Sequence, residues 1–312
     1  MKVYDSLVDL VGNTPLLRLN KFPKTCNLYV KCEFLNPYSI KDRPMLNIIL
    51  EAEKKELIKP GSTLVEATSG NTGMAIAFIG ALRSYKVILY MSEIQSIERR
   101  QVLKALGAEL VLTPKEFGTK GAMDRLLEDK KNNPDYFYIA QHFNLDNPAM
   151  HYKTTGPELW RDTDGQIDIL VAGLGTGGTI CGSGKFLKEQ KPGLRTVAIE
   201  PANAPFVKEG IWSMHKIMGI SPGFIPDTLS REFIDEIELV SEEESFAMCR
   251  RLAKEEGVLV GISSGSVAVV MERLAKKSEN AGKTIVGVFP DTGQRYLSVE
   301  GLFSYDDACP IQ

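Results

Sequence analysis

Eight short runs of mostly apolar residues frame this chain: "NLYVK" (27–31), "TLVEA" (63–67), "KVILYM" (86–91), "AELVLT" (108–113), "IDILVAG" (167–173), "RTVAIEP" (195–201), "GVLVG" (257–261) and "TIVGVFP" (284–290). Runs this continuously apolar suit strands buried on both faces, and stretches of helical periodicity lie between them. The helices have legible ends. "SIERRQVLKALG" begins with Ser96 as an N-cap and stops at Gly107. "SEEESFAMCRRLAKEEG" opens on a Ser241–Glu244 capping box and closes at Gly257. Strands and helices in alternation predict an α/β protein whose mostly parallel sheets are flanked by helices. A break with Pro and Gly near 145–165, "NLDNPAMHYKTTGPELWRDTDGQ", is a candidate boundary between a first βαβ set and a second.

Composition narrows the function. Apolar residues make up 43% and charged residues 25% of 312, the profile of a soluble globular protein. A net charge of -3 and a pI near 5.8 give no electrostatic case for nucleic acid or a membrane surface. No apolar stretch approaches a bilayer span, and "MKVYDSLVDLVGNTP" carries acids too early for a signal peptide. Cys26, Cys32, Cys181, Cys249 and Cys309 form no CxxC pair, which suits reduced thiols in a cytoplasmic protein. His142, His151 and His215 lack HExxH spacing, a poor start for a metallohydrolase.

Two glycine-bearing loops follow strands and open helices. "EATSGNTG" (66–73) crowds Thr68, Ser69, Asn71 and Thr72 around Gly70 and Gly73, leaving backbone N–H groups at a helix start to attract an anion. "IDILVAGLGTGGTI" places Gly173, Gly175 and Gly178 at GxGxxG spacing, with Glu200 at the end of the next strand. Alone, that is a dinucleotide fingerprint and an argument for an NAD-dependent oxidoreductase. The same amides with Thr179 also suit a single phosphate dianion. The motif cannot choose between one phosphate and two.

Lys41, in "NPYSIKDRP", precedes a helix whose first turn takes Pro44. An ammonium near a helix start in apolar surroundings tends toward the free amine that a Schiff base needs. A pyridoxal phosphate site requires such a lysine, a phosphate nest, a partner for the ring nitrogen and a seat for the substrate carboxylate. Lys41, the Gly175–Thr179 loop and the Thr68–Thr72 loop supply three. "GISSGS" (261–266) offers Ser263 or Ser264 as the fourth.

In this order "NPYSIKDR", "TSGNTG", "GLGTGGTI", "GISSG" and "FPDTGQRYLS", together with "LVGNTPLLRL", "ERRQVLKALGAELVLTP" and "HKIMGISPGFIP", resemble the cysteine synthase and cystathionine β-synthase family of fold type II pyridoxal phosphate enzymes. The resemblance implies roles. Lys41 binds the cofactor aldehyde and removes the substrate α-proton. Thr68, Ser69, Asn71, Thr72 and Gln141 hold the substrate carboxylate, with Asn71 also beside the cofactor 3'-oxygen. Gly175, Thr176, Gly177, Gly178 and Thr179 form the phosphate cup, and Ser263 meets the ring nitrogen. The reaction implied is β-replacement through an aminoacrylate, with O-acetylserine and sulfide giving cysteine and acetate. The fold implied has two lobes, a smaller mobile one at 37–145 and a larger one at 1–36 plus 146–312. A homodimer is the usual family state, and family members also bind the C-terminal tail of serine acetyltransferase.

The sequence departs from the family pattern in places. The lysine loop is one residue shorter, Ala67 stands where proline is frequent, and Ile94 and Gln95 replace Thr and Met. "SPGFIPDTL" (221–229) carries an unusual Pro222 and Asp227. Asp227 is either a base for a water or thiol nucleophile or the cap of a short turn. As a base it fits a rival reaction, a cysteine-consuming lyase that releases hydrogen sulfide and yields serine or a thioether amino acid. The altered segment also argues against the acetyltransferase tail.

Overall fold

The computed structural model describes residues 1–303 apart from Lys2, Ser69, Gln95 and Ser96. Ten strands occur among them: β1 (Leu16–Arg18), β2 (Asn27–Cys32), β3 (Thr63–Ala67), β4 (Lys86–Ser92), β5 (Glu109–Thr113), β6 (Phe137–Tyr138), β7 (Ile167–Gly173), β8 (Arg195–Pro201), β9 (Glu236–Val240) and β10 (Thr284–Phe289). The chain divides into two compact units. One comprises Met1–Gly12 and Asn36–Met150, the other Asn13–Leu35 and His151 onward.

The first unit holds a four-stranded, wholly parallel sheet in the order β5-β4-β3-β6. On one side lies a core that includes Ile48, Ile49, Leu64, Ile76, Ile79 and Leu89. A smaller cluster, including Val65, Tyr90 and Leu126, fills the other. Residues 1–12, grouped by the sequence with the larger lobe, cluster with this unit because Val8 and Val11 pack on its core.

The second unit holds six strands in the order β1-β2-β10-β7-β8-β9, parallel except for β1. Its main core runs through Val30, Ile169, Val171, Val197, Ile199, Val267, Val270 and Ile285. Such two-sided coverage is what the apolar runs require.

Most expected elements form where the sequence puts them, with instructive exceptions. "GVLVG" makes only an isolated bridge, Val260 with Thr292, because Gly257 ends one helical stretch in the left-handed region (φ 69°) and Gly261 already N-caps the next helix. β9 escapes the sequence search because "EIELV" alternates acid with apolar residue, as suits its place on the sheet edge. The two units divide inside the expected stretch 145–165, between Met150 and His151, and the stretch itself is helical nearly throughout, from Asp146 to Asp162. Pro148 and Pro157 sit in first turns, where proline's missing N–H costs nothing.

The caps follow the sequence. Ser241 Oγ accepts from the Glu244 N–H at 3.2 Å, and the Glu244 carboxylate accepts from the Ser241 N–H at 3.0 Å. Gly107, with φ 86°, ends the Ile97–Ala105 helix; Ser96, its expected N-cap, lies outside the described residues.

One buried ion pair braces the second unit. Lys31 on β2 is fully buried, its Nζ 2.8 Å from Glu158 and 3.2 Å from Asp162 on the Gly156–Asp162 helix, and it also donates to the Thr14 carbonyl. Removing one member leaves a buried charge without its counter-ion. Lys31→Met is therefore expected to destabilise the protein by about 3–5 kcal/mol in urea unfolding, whereas Lys191→Met, at a half-exposed pair with Asp168, changes it by less than about 1 kcal/mol.

Candidate active site

In the first unit, β3 runs into the hydroxyl-rich loop and then the Asn71–Leu82 helix. Gly70 is its N-cap, which places backbone N–H groups of the first turn at the end of the loop. The Thr68 N–H donates to the Tyr90 carbonyl at 3.0 Å, fixing the loop's departure from the sheet. The Thr72 hydroxyl donates to Gln141 Oε1 at 2.7 Å, joining two candidate carboxylate ligands that the sequence keeps far apart. Both side chains are buried. Ser69 lies outside the described residues.

Lys41 is the N-cap of the Asp42–Lys54 helix, with Pro44 in the first turn as expected. Its N–H donates to Ser39 Oγ at 3.1 Å and its carbonyl accepts from Met45 at 3.1 Å. Asp42 accepts from the N–H groups of Tyr38 and Ser39, so the short lysine loop folds on its own acid. His142, which the sequence reading did not single out as a site residue, belongs to this neighbourhood. Burial, with the nearby Lys41 charge second, pushes its imidazole down to about 4. It stands as a neutral ring beside a candidate base. The signal was there: a histidine directly after Gln141 in "AQHFN".

In the second unit, β7 leads through the glycine loop to the Gly178–Gln190 helix. Gly177 is the N-cap, left-handed at φ 80°, and the Thr176 hydroxyl accepts from the Gly178 N–H at 3.2 Å. A Cβ on Gly175 would lie 2.4 Å from the Gly219 carbonyl oxygen, and one on Gly177 would lie 2.8 Å from Leu229 Cβ. Only glycine fits there. Thr228 Oγ1 donates to the Thr176 carbonyl at 2.6 Å, and Thr179 Oγ1 meets His151 Nε2 at 3.3 Å. His151 and Thr155, joined at 2.9 Å, come from the π-helical turn His151–Thr155, a distortion frequent at functional sites.

Asp227 sits exposed on the Pro226–Leu229 turn that backs this loop. It does not cap the following short helix Arg231–Phe233, whose N-cap is Ser230. Ser263 and Ser264 occupy the first turn of the Ile262–Lys276 helix. Ser264 is fully buried and its hydroxyl makes no hydrogen bond, while Ser263 keeps 6% exposure. The "FPDTGQRYLS" segment supports that turn. The Gly261 N–H donates to the Asp291 carbonyl at 3.1 Å, and Tyr296 donates to the Asp291 carboxylate.

Glu200 corrects the dinucleotide reading. It is fully buried, and its two oxygens accept from the N–H groups of Val207 and Lys208 at 2.8 and 2.9 Å. An acid spent on capping the Phe206–Glu209 helix is not offered to a ribose.

Comparison with known proteins agrees with the single-phosphate reading. The family described as pyridoxal-phosphate dependent enzyme matches residues 7–291. Cysteine synthase A of Escherichia coli (strain K12) is 43% identical over 307 residues, covering 95% of each chain. Among solved structures, O-ureido-L-serine synthase superposes with a TM-score of 0.95 at 39% identity, covering 99% of this chain and 98% of the other. A hydrogen sulfide-producing enzyme from Fusobacterium nucleatum gives 0.90 at 39% identity, covering 95% and 99%. The chain is thus a fold type II member of the pyridoxal-phosphate dependent enzyme family, related to the cysteine synthases along almost its whole length.

Proposed function

We propose that this enzyme carries out β-replacement on a three-carbon amino acid, exchanging the acetate of O-acetylserine for sulfide to give cysteine. The observation that carries the reading is the start of the Gly178 helix. A left-handed Gly177, a Gly175 with no room for a Cβ and a first turn whose backbone lies bare of large side chains suit one phosphate dianion, with Thr176 already on the Gly178 N–H. The near full-length likeness to cysteine synthase A supports the choice of substrate.

The residues fit the cofactor's needs. Gly175, Thr176, Gly177, Gly178 and Thr179 would hold its phosphate, Ser263 would offer a hydroxyl to its ring nitrogen, and Asn71 would serve its 3'-oxygen. Ser263 suits that task better than Ser264, whose hydroxyl is sealed inside the protein. Bound there, pyridoxal phosphate supplies an electron-withdrawing ring that stabilises negative charge on the substrate α-carbon. Lys41 would bind the cofactor aldehyde and, as a free amine, would hold the substrate α-proton on Nζ. The neutral His142 adds no positive charge beside it. Thr68, Ser69, Asn71, Thr72 and Gln141 bind the substrate carboxylate at the helix start. Because the Thr72 hydroxyl engages the Gln141 carbonyl end, the amide N–H₂ is the end that faces an anion.

A second reading is favoured by Asp227, an exposed acid that caps nothing on the turn behind the phosphate loop. It is a base for water or a thiol, so that cysteine and water give serine and hydrogen sulfide. The hydrogen sulfide-producing relative makes this worth testing. We further place the enzyme in the cytoplasm as a homodimer; Cys26, Cys32, Cys181 and Cys249 are all free and buried, as suits a reducing compartment. Complex formation with the serine acetyltransferase tail is a matter for co-purification.

Three outcomes test this subsection. Lys41→Ala is expected to lower kcat by at least about 100-fold, measured as cysteine formed from O-acetylserine and sulfide. Mass spectrometry with cysteine as sole substrate separates the two readings: no serine, thioether or sulfide is expected of a cysteine synthase. If sulfide is released, Asp227→Asn abolishes it when Asp227 is the base and leaves it unchanged otherwise. His142 governs an acid limb of stability. The folded imidazole refuses a proton that the unfolded one takes at its ordinary 6.5, so stability is intact above that pH and falls toward pH 4. His142→Gln should flatten the fall in urea midpoints between pH 6.5 and 4.

A further inference from the structure

The one acid of the "EATSGNTG" stretch has no part in the chemistry above, yet it is almost sealed from solvent at 1% exposure. Glu66 is the penultimate residue of β3. Its Oε1 accepts from the Ala67 N–H at 2.9 Å and its Oε2 from the Gln141 N–H at 3.1 Å, with the Ala140 N–H as a third backbone donor. Ala140 stands at φ 56°, a left-handed conformation that a residue with a Cβ adopts only when its surroundings hold it there. Gln141 is then fixed at three further points of one residue: its N–H by Glu66, its carbonyl by Asn147 Nδ2 at 2.8 Å, and its side chain by the Thr72 hydroxyl at 2.7 Å.

We propose that Glu66 is a positioning residue for the substrate site, its ionised carboxylate clamping the 140–141 turn to β3 so that Gln141 and Thr72 are set for the amino-acid carboxylate, and acid releasing the clamp. This rests on the reading of Gln141 and Thr72 as carboxylate ligands.

A carboxylate is needed because two acceptor oxygens meet three N–H groups. A protonated acid or an amide would turn a donor toward one of them. Burial works against the charge and pushes Glu66 up to about 7, while the three backbone donors pull the other way. No cationic side chain contributes to that shift. The ionisable groups around it are Tyr138 on β6, pushed up by burial and by Glu66 itself; Tyr90 on β4, bonded to Asp129 at 3.0 Å; and, next to Gln141, the neutral His142 beside Lys41. Tyr90 and Tyr138 are pushed up and His142 down, each away from neutral pH, which leaves Glu66 as the member that titrates there.

The test uses the holoenzyme. Backbone amide exchange at residues 138–143 is followed from pH 8.5 to 6, corrected for the intrinsic pH dependence of exchange. The wild type is expected to exchange about tenfold faster at the acid end, and Glu66→Gln to exchange fast throughout. In parallel, the KM for O-acetylserine is expected to rise about tenfold over the same range in the wild type, with kcat changing less. Glu66→Gln shares the substrate's own titration and should show a high KM without the added rise. Exchange that is pH-independent in the wild type overturns the proposal, whatever the variant does, so a poorly folding variant leaves the test standing. Exchange that responds while KM does not confirms the clamp and overturns the assignment of Gln141 to the carboxylate.

Discussion

Unpaired amides at the starts of helices are the constraint on which the rest depends. An α-helix leaves its first N–H groups without intrahelical partners, and a parallel strand delivers the chain to such a start at its C-terminal end. Each unit uses this once at a glycine-bearing loop. β3 leads to the Asn71 helix and β7 to the Gly178 helix, and each starts from a glycine N-cap, with the Thr176 hydroxyl on the Gly178 N–H. Most surface helices satisfy these donors themselves, as Ser241 does with its capping box. Donors left open at such a start are costly unless an anion arrives, and that is the physical argument behind the proposed carboxylate and phosphate roles of the two loops.

The open donors are useful only if the loops that carry them are rigid. Around the glycine loop, rigidity comes from close approach. Gly175 meets the Gly219 carbonyl, Gly177 meets Leu229, and the Thr176 carbonyl is tied to Thr228. Around the Thr68–Thr72 loop, it comes from buried polar bonds through Thr72, Gln141 and Glu66. Close packing with neutral hydrogen bonds holds one loop, and bonds to a buried acid hold the other. The second device responds to pH because it contains a buried acid; the first has no such group.

Much of this was legible in the sequence. The apolar runs located seven of the eight expected strands, the glycine loops and Lys41 stood out by composition and position, and the caps at Ser241, Gly107 and Gly257 formed as written. Those features are local. A strand's apolarity, a capping box or a glycine at a turn is decided within a few residues, so a linear reading sees it. "GVLVG" misled because its apolar residues serve the core without pairing as a strand. Glu200 misled because its spacing from the glycines matched a ribose ligand while its oxygens went to Val207 and Lys208.

The sequence by itself determined the α/β class, the two glycine-bearing loops that open helices and the lysine at the head of a helix. Each depends on residues adjacent in the chain. Only the tertiary structure decided which buried polar groups meet: Glu66 with Gln141 across 75 positions, Thr72 with Gln141 across 69, and Thr176 with Thr228 across 52. The reason is that a buried donor or acceptor must find a partner wherever folding brings one, and sequence distance carries no information about which partner that is.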